Sequence, residues 1–403
     1  MTLALRLGLR NVLRYARRSL ITAGTIAASF AMLVLAIGIS EGSYASIVDN
    51  AARSGAGHVV VRAPGYDPLD PVPLADAAAV LVAAARHGLA VPRAEALVVA
   101  SASSGSATLL ALGVDPLIEE QASITAEALV EGAWLPEEPG RVGKALVGRS
   151  LAKRLRVDVG DRLVVTANSP DQALLFRVGG LFSTGSPAVD DGLVLVDRRA
   201  LSTLLGEPDV VHSVGVLLDD VYDAARVAEE LGAALPHAQV LTWAEALPEV
   251  GDYITLDRTS ASAMFFVLFF LVGLAILNSI LMSVFERKRE LGVLLALGTA
   301  PRTLFTMVVI EGVMLSVVSV ALGLAIGWAG VSYLAVDGLD LSALMGSDYD
   351  LAGYAMEPVI YPLIKVGRVI DGVVMVVLLT LLAALYPAWK AARVPPVEAI
   401  SRL

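Results

Sequence analysis

The stretch FERKRELGVLLALGTAPR, Phe285–Arg302, interrupts two long apolar runs and decides how the rest of the chain is read. It opens on alternating charge, turns into a short leucine-rich helical pattern, and stops at Gly-Thr-Ala-Pro. Leu291, Leu294 and Leu295 recur at i, i+3, i+4 and so share one helix face. Gly298 is placed as the C′ residue that ends this helix, Thr299 as the cap of the next, and Pro301 in that next helix's first turn. The preceding run is expected to stay helical through Glu286–Glu290.

The flanking runs are long enough to cross a bilayer, which takes about 20 apolar residues in a helix. Four segments qualify: about Leu20–Ile39, Ala261–Phe285, Leu304–Val331 and Val369–Leu385. The fourth is the shortest and has Asp371 near its start. A signal peptide is the competing reading of the first run. Signal cores span about 7–15 apolar residues; this run is longer and no small-x-small cleavage site follows it. Composition agrees with a membrane protein: 403 residues, 56% hydrophobic and 17% charged, against about 25% charged in soluble domains.

The net charge of −10 argues against nucleic acid, which requires a basic face. With no cysteine, disulfides, thiolate catalysis and Cys-based zinc sites are excluded. No phosphate-binding loop is present: in GRVGKAL, Gly143-Lys144 is followed by Ala and lacks the upstream glycine. His58, His87, His212 and His237 show no metal-ligand spacing, and no metal is expected. Asp190-Asp191 reads as a solvated turn rather than a catalytic pair.

Lys and Arg near span ends set the orientation. Arg6, Arg10, Arg14, Arg17 and Arg18 precede the first span, Arg287, Lys288, Arg289 and Arg302 lie between the second and third, and Lys390, Arg393 and Arg402 follow the fourth. Both termini and the insert are therefore expected in the cytoplasm. The expected layout is an amphipathic cytoplasmic helix at 1–19, spans at 20–40, 260–285, 303–331 and 368–386, and a large extracytoplasmic domain at 41–259. A coupling helix at 286–302, an outer loop at 332–367 and a cytoplasmic tail at 387–403 complete it. The fold class is a four-span α-helical membrane protein with an α+β domain between the first two spans.

Within 41–259, GHVVVR reads as a strand, LADAAAVLVAAARHG as a helix, and EALVVASASSGSATLLALGV as two strands joined at Ser103–Gly105. KALVGRSLAKRLRVDVGDRLVVTA is expected to be a helix, a turn at Asp158–Gly160 and a strand; LLFRVGGLF and DGLVLVD are further strands, and AARVAEELGAAL a helix. The order lacks the regular alternation of a doubly wound sheet.

Polar residues inside spans are costly and mark packing or function. Glu311 is expected to pair with a basic residue of the insert or a neighbouring helix, in preference to snorkelling. Asn278 is expected to bond between helices, and Gly323 and Gly327, one turn apart, to admit a close neighbour; scattered membrane-helix glycine is the alternative.

ERKRELGVLLALGTAPRTLFTMVVIEGVMLSVVSVALGLAIGWAG, with the terminal LYPAWKAARVPPVEAI, resembles the FtsX/MacB superfamily (type VII) of ABC transporter permeases. ALVGRSLAKRLRVDVGDRLVV, GGLFSTGSPAVDDGLVLVD and the late Trp of LTWAEALPEV are most similar to its lipoprotein-releasing LolC/LolE branch. The resemblance implies a MacB-like periplasmic core domain in the bacterial inner membrane. It implies a second permease subunit, identical or paralogous, and two copies of a separate ATPase that bind ATP and Mg; this chain binds no cofactor and is not itself an enzyme. Only about twenty residues precede the first span, which on this reading leaves the ATPase to another chain.

By the same resemblance, lipid enters between the first and second spans of facing subunits, with contacts at Ile39, Ser43, Tyr44, Ile47, Phe265, Phe266 and Phe269. The insert implies an ATPase-coupling element: Glu286, Arg287, Arg289 and Glu290 setting register, Leu291, Leu294 and Leu295 entering the partner, Gly298 closing the helix. A helix resting on the inner leaflet is the alternative. The branch's chaperone-recruiting hairpin corresponds here to the short ANSPDQALL, so capture of a periplasmic chaperone or adaptor stays open. Three functions follow: extraction of lipoproteins or lipid-like molecules, MacB-like export of drugs or peptides with an adaptor, or FtsX-like regulation of cell-wall hydrolases without transport.

Overall fold

A computed structural model of the chain describes residues 16–138, 142–167, 172–340, 350–351, 354–355 and 359–393. They fall into two compact units, Met1–Ser43, Asp257–Leu339 and Ile360–Leu403 in one, Tyr44–Leu256 and Asp340–Val359 in the other. The expected N-terminal amphipathic helix around Arg6, Arg10 and Arg14, and the tail containing Arg402, lie outside the described residues.

The first unit is helical. Among the described residues four helices are long and apolar enough to cross a membrane. Their bounds are Ala16–Ala51, Pro248–Glu286, Pro301–Asp337 and Val366–Ala392, each longer than its apolar run. In lipid the backbone must satisfy itself, so helix persists wherever the run is apolar. Phe30, Met307, Ala384 and Ala388 sit in their shared core. Gly323 and Gly327 let the third helix meet the first: a Cβ at Gly323 would lie 2.6 Å from the Ala27 carbonyl, and one at Gly327 2.7 Å from the Val34 Cβ. This is the close approach that small-xxx-small spacing permits. Asn278, expected to bridge helices, is exposed and bonds to no other helix among the described residues. The polar bridge falls one residue on, Ser279 Oγ to Thr22 Oγ1 at 2.7 Å.

The second unit is built on a ten-stranded sheet. Its strands are β1 Val59–Arg62, β2 Leu89–Ala102, β3 Gly105–Val114, β4 Leu129–Gly132, β5 Gly143–Gly148, β6 Arg162–Thr166, β7 Ala173–Phe182, β8 Leu193–Asp197, β9 Ser213–Leu217 and β10 Gln239–Thr242. The spatial order is β10-β1-β9-β2-β3-β8-β5-β7-β4, with β6 bridging β2 and β7. Pairings are antiparallel except β3–β8 and β5–β7. β2 and β3 form the expected hairpin, in register from Arg93↔Val114 to Ala102↔Gly105. Period-two alternation puts Ala94, Ala96, Val98 and Ala100 of β2 on one face, packed with Leu151, Leu155 and Leu201.

Two expectations fail here for physical reasons. KALVG is not helical: Gly143–Gly148 is β5, and only Arg149–Leu155 forms the helix. A strand buried on both faces has no alternation to betray it. Asp190 is not solvated. It is buried on the turn of helix Pro187–Gly192, where its carboxylate accepts from Ser183 Oγ at 3.1 Å and from Thr184 N and Oγ1 at 2.8 Å. Asp191 points away, to Arg154 at 2.7 Å.

Within the second unit the first helix ends in a π-turn, Ala52–Ala56, and leaves through Gly57 at φ +78°. A Cβ there would meet Gly215 Cα at 2.8 Å, so both conformation and space call for glycine. Beneath this exit Arg93 and Glu119, each 1% exposed, pair through two contacts at 2.8 and 3.1 Å, and Arg93 also donates to the Gly55 carbonyl.

Candidate functional site

The helix carrying the second apolar run does not continue through Glu290 as expected. It stops at Glu286, Arg287 leaves helical geometry (φ −101°, ψ 12°), and a separate helix runs Lys288–Ala296. Its end is a Schellman arrangement: Gly298, at φ +90°, donates to Leu295 O at 3.0 Å and Thr299 N to Leu294 O at 3.0 Å. Thr299 therefore serves this C-terminus and does not cap the third helix, whose N-cap is Ala300 with Pro301 in the first turn.

Arg287 fixes the break. Its guanidinium is 9% exposed, with Nε 3.3 Å from Glu290 Oε2 and Nη1 3.2 Å from Glu311 Oε2. Glu311 is thus ion-paired to the insert, tying the short helix to the third long one. A buried cation needs such partners because water no longer solvates it.

The leucine face turns inward. Leu291 is buried in the unit's own core, and Leu294 and Leu295 are half-buried against it. Leu291 is closed to any partner, and Leu294 and Leu295 leave only part of their surface outside the core. The outward face carries Arg289, Glu290, Val293 and Leu297, with Glu286 exposed before the break; Val293 is 41% exposed and Leu297 79%. Arg289, Val293 and Leu297 are spaced i, i+4, i+8 and so lie on one stripe. At the end of the fourth helix, Lys390 Nζ lies 4.6 Å above the Phe285 ring and Arg393 4.3 Å above Trp389. Tyr386 and Trp389, half exposed, complete a belt of aromatic and basic groups of the kind found at a membrane–water interface.

The expected lipid contacts divide. Tyr44 and Ile47 are buried against Val250 and Ile254 inside the second unit, and Phe269 is buried in the helical core. Ile39, Ser43 and Phe265 are half-buried, and Phe266 is 57% exposed beside Phe270 at 52%. Aromatic spacing on a helix places residues around the cylinder, so adjacent phenylalanines cannot all face outward.

Sequence reading missed Glu41. It remains helical beyond the apolar run, and its 4%-exposed carboxylate meets Arg258 Nη2 at 2.9 Å and Arg368 Nε at 3.4 Å. The three were visible only as charges at span ends.

The second unit also holds a cavity of about 410 Å³ above β1, β9, β2 and β3. Leu110, Leu112 and Leu193 line it, and Glu95 accepts from Tyr66 and Ser213 hydroxyls at its polar end. Burial, with the Glu95 charge, pushes the Tyr66 phenol far above its ordinary range, so it stays a donor. Behind it His212 Nδ1 accepts the Glu95 amide at 2.9 Å, and burial lowers the imidazole's pKa.

Comparison with known proteins matches this architecture. The family described as MacB-like periplasmic core domain matches residues 19–234, more than half of the chain, and FtsX-like permease C-terminal matches 262–396. The chain belongs to the FtsX/MacB superfamily of ABC transporter permeases. The lipoprotein-releasing system transmembrane protein LolC of Xylella fastidiosa is 24% identical over 303 residues, covering 72% of this chain and 71% of that protein. The macrolide export ATP-binding/permease protein MacB of Bdellovibrio bacteriovorus is 24% identical over 310 residues, 72% of this chain and 43% of the relative. The periplasmic region of MacB from Actinobacillus actinomycetemcomitans aligns with 48% of this chain and 92% of that structure, at 12% identity and a TM-score of 0.32. By the two family matches and its four long apolar helices, this permease is a multi-pass membrane protein with a MacB-like α+β domain.

Proposed function

We propose that this permease couples ATP hydrolysis by a separate ATPase subunit to extraction of lipoproteins, or molecules as lipid-like, from the outer leaflet of the inner membrane. The reading rests on one observation above others: a short helix that leaves the membrane helices at Arg287, is pinned to the third by Glu311, and presents Arg289, Glu290, Val293 and Leu297 outward. A motor that grips this stripe moves two long helices at once. Positive charge at this end, from Arg287, Lys288, Arg289, Lys390 and Arg393, supports a cytoplasmic placement. The α+β domain, between the first two spans in chain order, then lies in the periplasm. ATP and Mg belong to the partner, and a second permease, identical or paralogous, faces this one.

The similarity to LolC over most of both chains supports the lipoprotein cargo, and exposed Phe266 and Phe270 offer an apolar surface for acyl chains. The test is to purify the complex in native-lipid particles and identify what travels with it. Recovery of acylated protein supports the reading. A small drug-like molecule with an adaptor supports MacB-like export instead, and a cell-wall hydrolase without cargo supports FtsX-like regulation.

A further inference from the structure

One turn of the first helix, Gly38–Gly42, is where all four long helices of the helical unit converge. Gly38 packs so closely on the third helix that a Cβ would lie 2.8 Å from Val331 Cγ2. The Gly38 carbonyl accepts the Leu363 amide at 2.9 Å, and a Cβ at Gly42 would collide with the Tyr361 carbonyl. Between these glycines Glu41 turns its buried carboxylate to Arg258 of the second helix at 2.9 Å and Arg368 of the fourth at 3.4 Å. One buried carboxylate thus joins the first helix to the second and the fourth, so the three helices are tied to one point.

The opposite end of the bundle has its own knot, Arg287 with Glu290 and Glu311. The two are joined by packed contacts: from Glu311 along the third helix to Gly323 and Gly327, across to Ala27, Ala31 and Val34, and along the first helix to Glu41. We infer that Glu41 is the output knot of the permease, a positioning residue that makes the outer ends of the first, second and fourth helices answer together to movement entering at Arg287. The inference rests on the transport reading and adds to it where the stroke is delivered. Packed side chains and buried ion pairs of this kind can carry coupling between distant sites.

The experiment uses the full chain with its ATPase subunit in proteoliposomes carrying a fluorescent triacylated peptide, with ATP hydrolysis and peptide release measured together. Glu41→Gln should leave hydrolysis within about twofold of the wild type and cut release at least tenfold. Arg368→Gln, which leaves Arg258 in place, should give an intermediate loss, and Glu41→Asp should recover release. Because the chain has no cysteine, spin labels placed at Ser262 of the second helix and Ile370 of the fourth, both exposed, report the outer ends without background. Their distance distribution should broaden in Glu41→Gln, while labels at the exposed Met282 and Leu385, near the other end, stay as in the wild type. Release equal to wild type in Glu41→Gln, or hydrolysis and release falling in parallel with unchanged label distances, overturns the inference. A wild type that hydrolyses ATP and releases no peptide fails the transport reading instead, and the label distances then still decide whether Glu41 ties the helices.

Discussion

Replacing Leu297 and Leu291 separately divides docking from folding on the coupling helix. Full burial of a leucine side chain is worth about 1.5–3 kcal/mol. Leu297 is 79% exposed, so Leu297→Asp forfeits about a fifth of that within the chain, roughly 0.3–0.6 kcal/mol. If the exposed part is covered by the ATPase, the same change costs about 1.2–2.4 kcal/mol of binding, roughly an 8- to 60-fold rise in Kd. Leu291 is 2% exposed, and Leu291→Ala should cost about 2–5 kcal/mol of stability as a buried truncation. The assay is thermal unfolding of the purified permease alongside titration with the ATPase. Leu297→Asp should bind weakly at nearly unchanged stability, and Leu291→Ala should melt early and bind normally below its transition. The reverse pattern, tight binding by Leu297→Asp and selective loss of binding in Leu291→Ala, refutes the outward stripe and restores the leucine face as the contact.

Three further outcomes are expected. Gly327→Val places a branched side chain where even a Cβ lies 2.7 Å from Val34, and the overpacking should cost about 1–3 kcal/mol in the melting of the full chain. Arg93→Met strands the buried Glu119 carboxylate and should cost about 3–5 kcal/mol, whereas the double change Arg93→Met with Glu119→Leu should recover much of it. His212 titrates near pH 6.5 when unfolded and at lower pH when folded, so the unfolded state binds the extra proton between the two values. Its contribution to stability is complete above about pH 6.5 and is lost as pH falls through the folded value; the decline should flatten in His212→Asn.

The spans were legible because hydrocarbon demands long apolar helices, and the β2–β3 hairpin because alternation brackets Ser103–Gly105. Glu311 was legible too, since an acid near a basic insert has few cheaper partners. What remained hidden was direction. The spacing of Leu291, Leu294 and Leu295 defines a face but not whether it meets the chain's own core or another protein; in the fold Leu291 is buried in the core and the other two lean on it. Asn278 and Ser279 are equally polar by sequence, and only helix rotation decides which reaches Thr22. Glu41 was hidden because hydropathy ends a span where apolar residues end, although the helix continues to Ala51. Asp190 was misplaced because its partners Ser183 and Thr184 are local yet depend on the turn begun at Pro187.

The most direct measurement of the central claim is ATP-driven release of a fluorescent triacylated peptide from proteoliposomes holding this permease, with and without the separate ATPase. Release that needs the permease, the ATPase and hydrolysable ATP together is the predicted result. Hydrolysis that proceeds fully with no release, or release that continues without the ATPase, contradicts it.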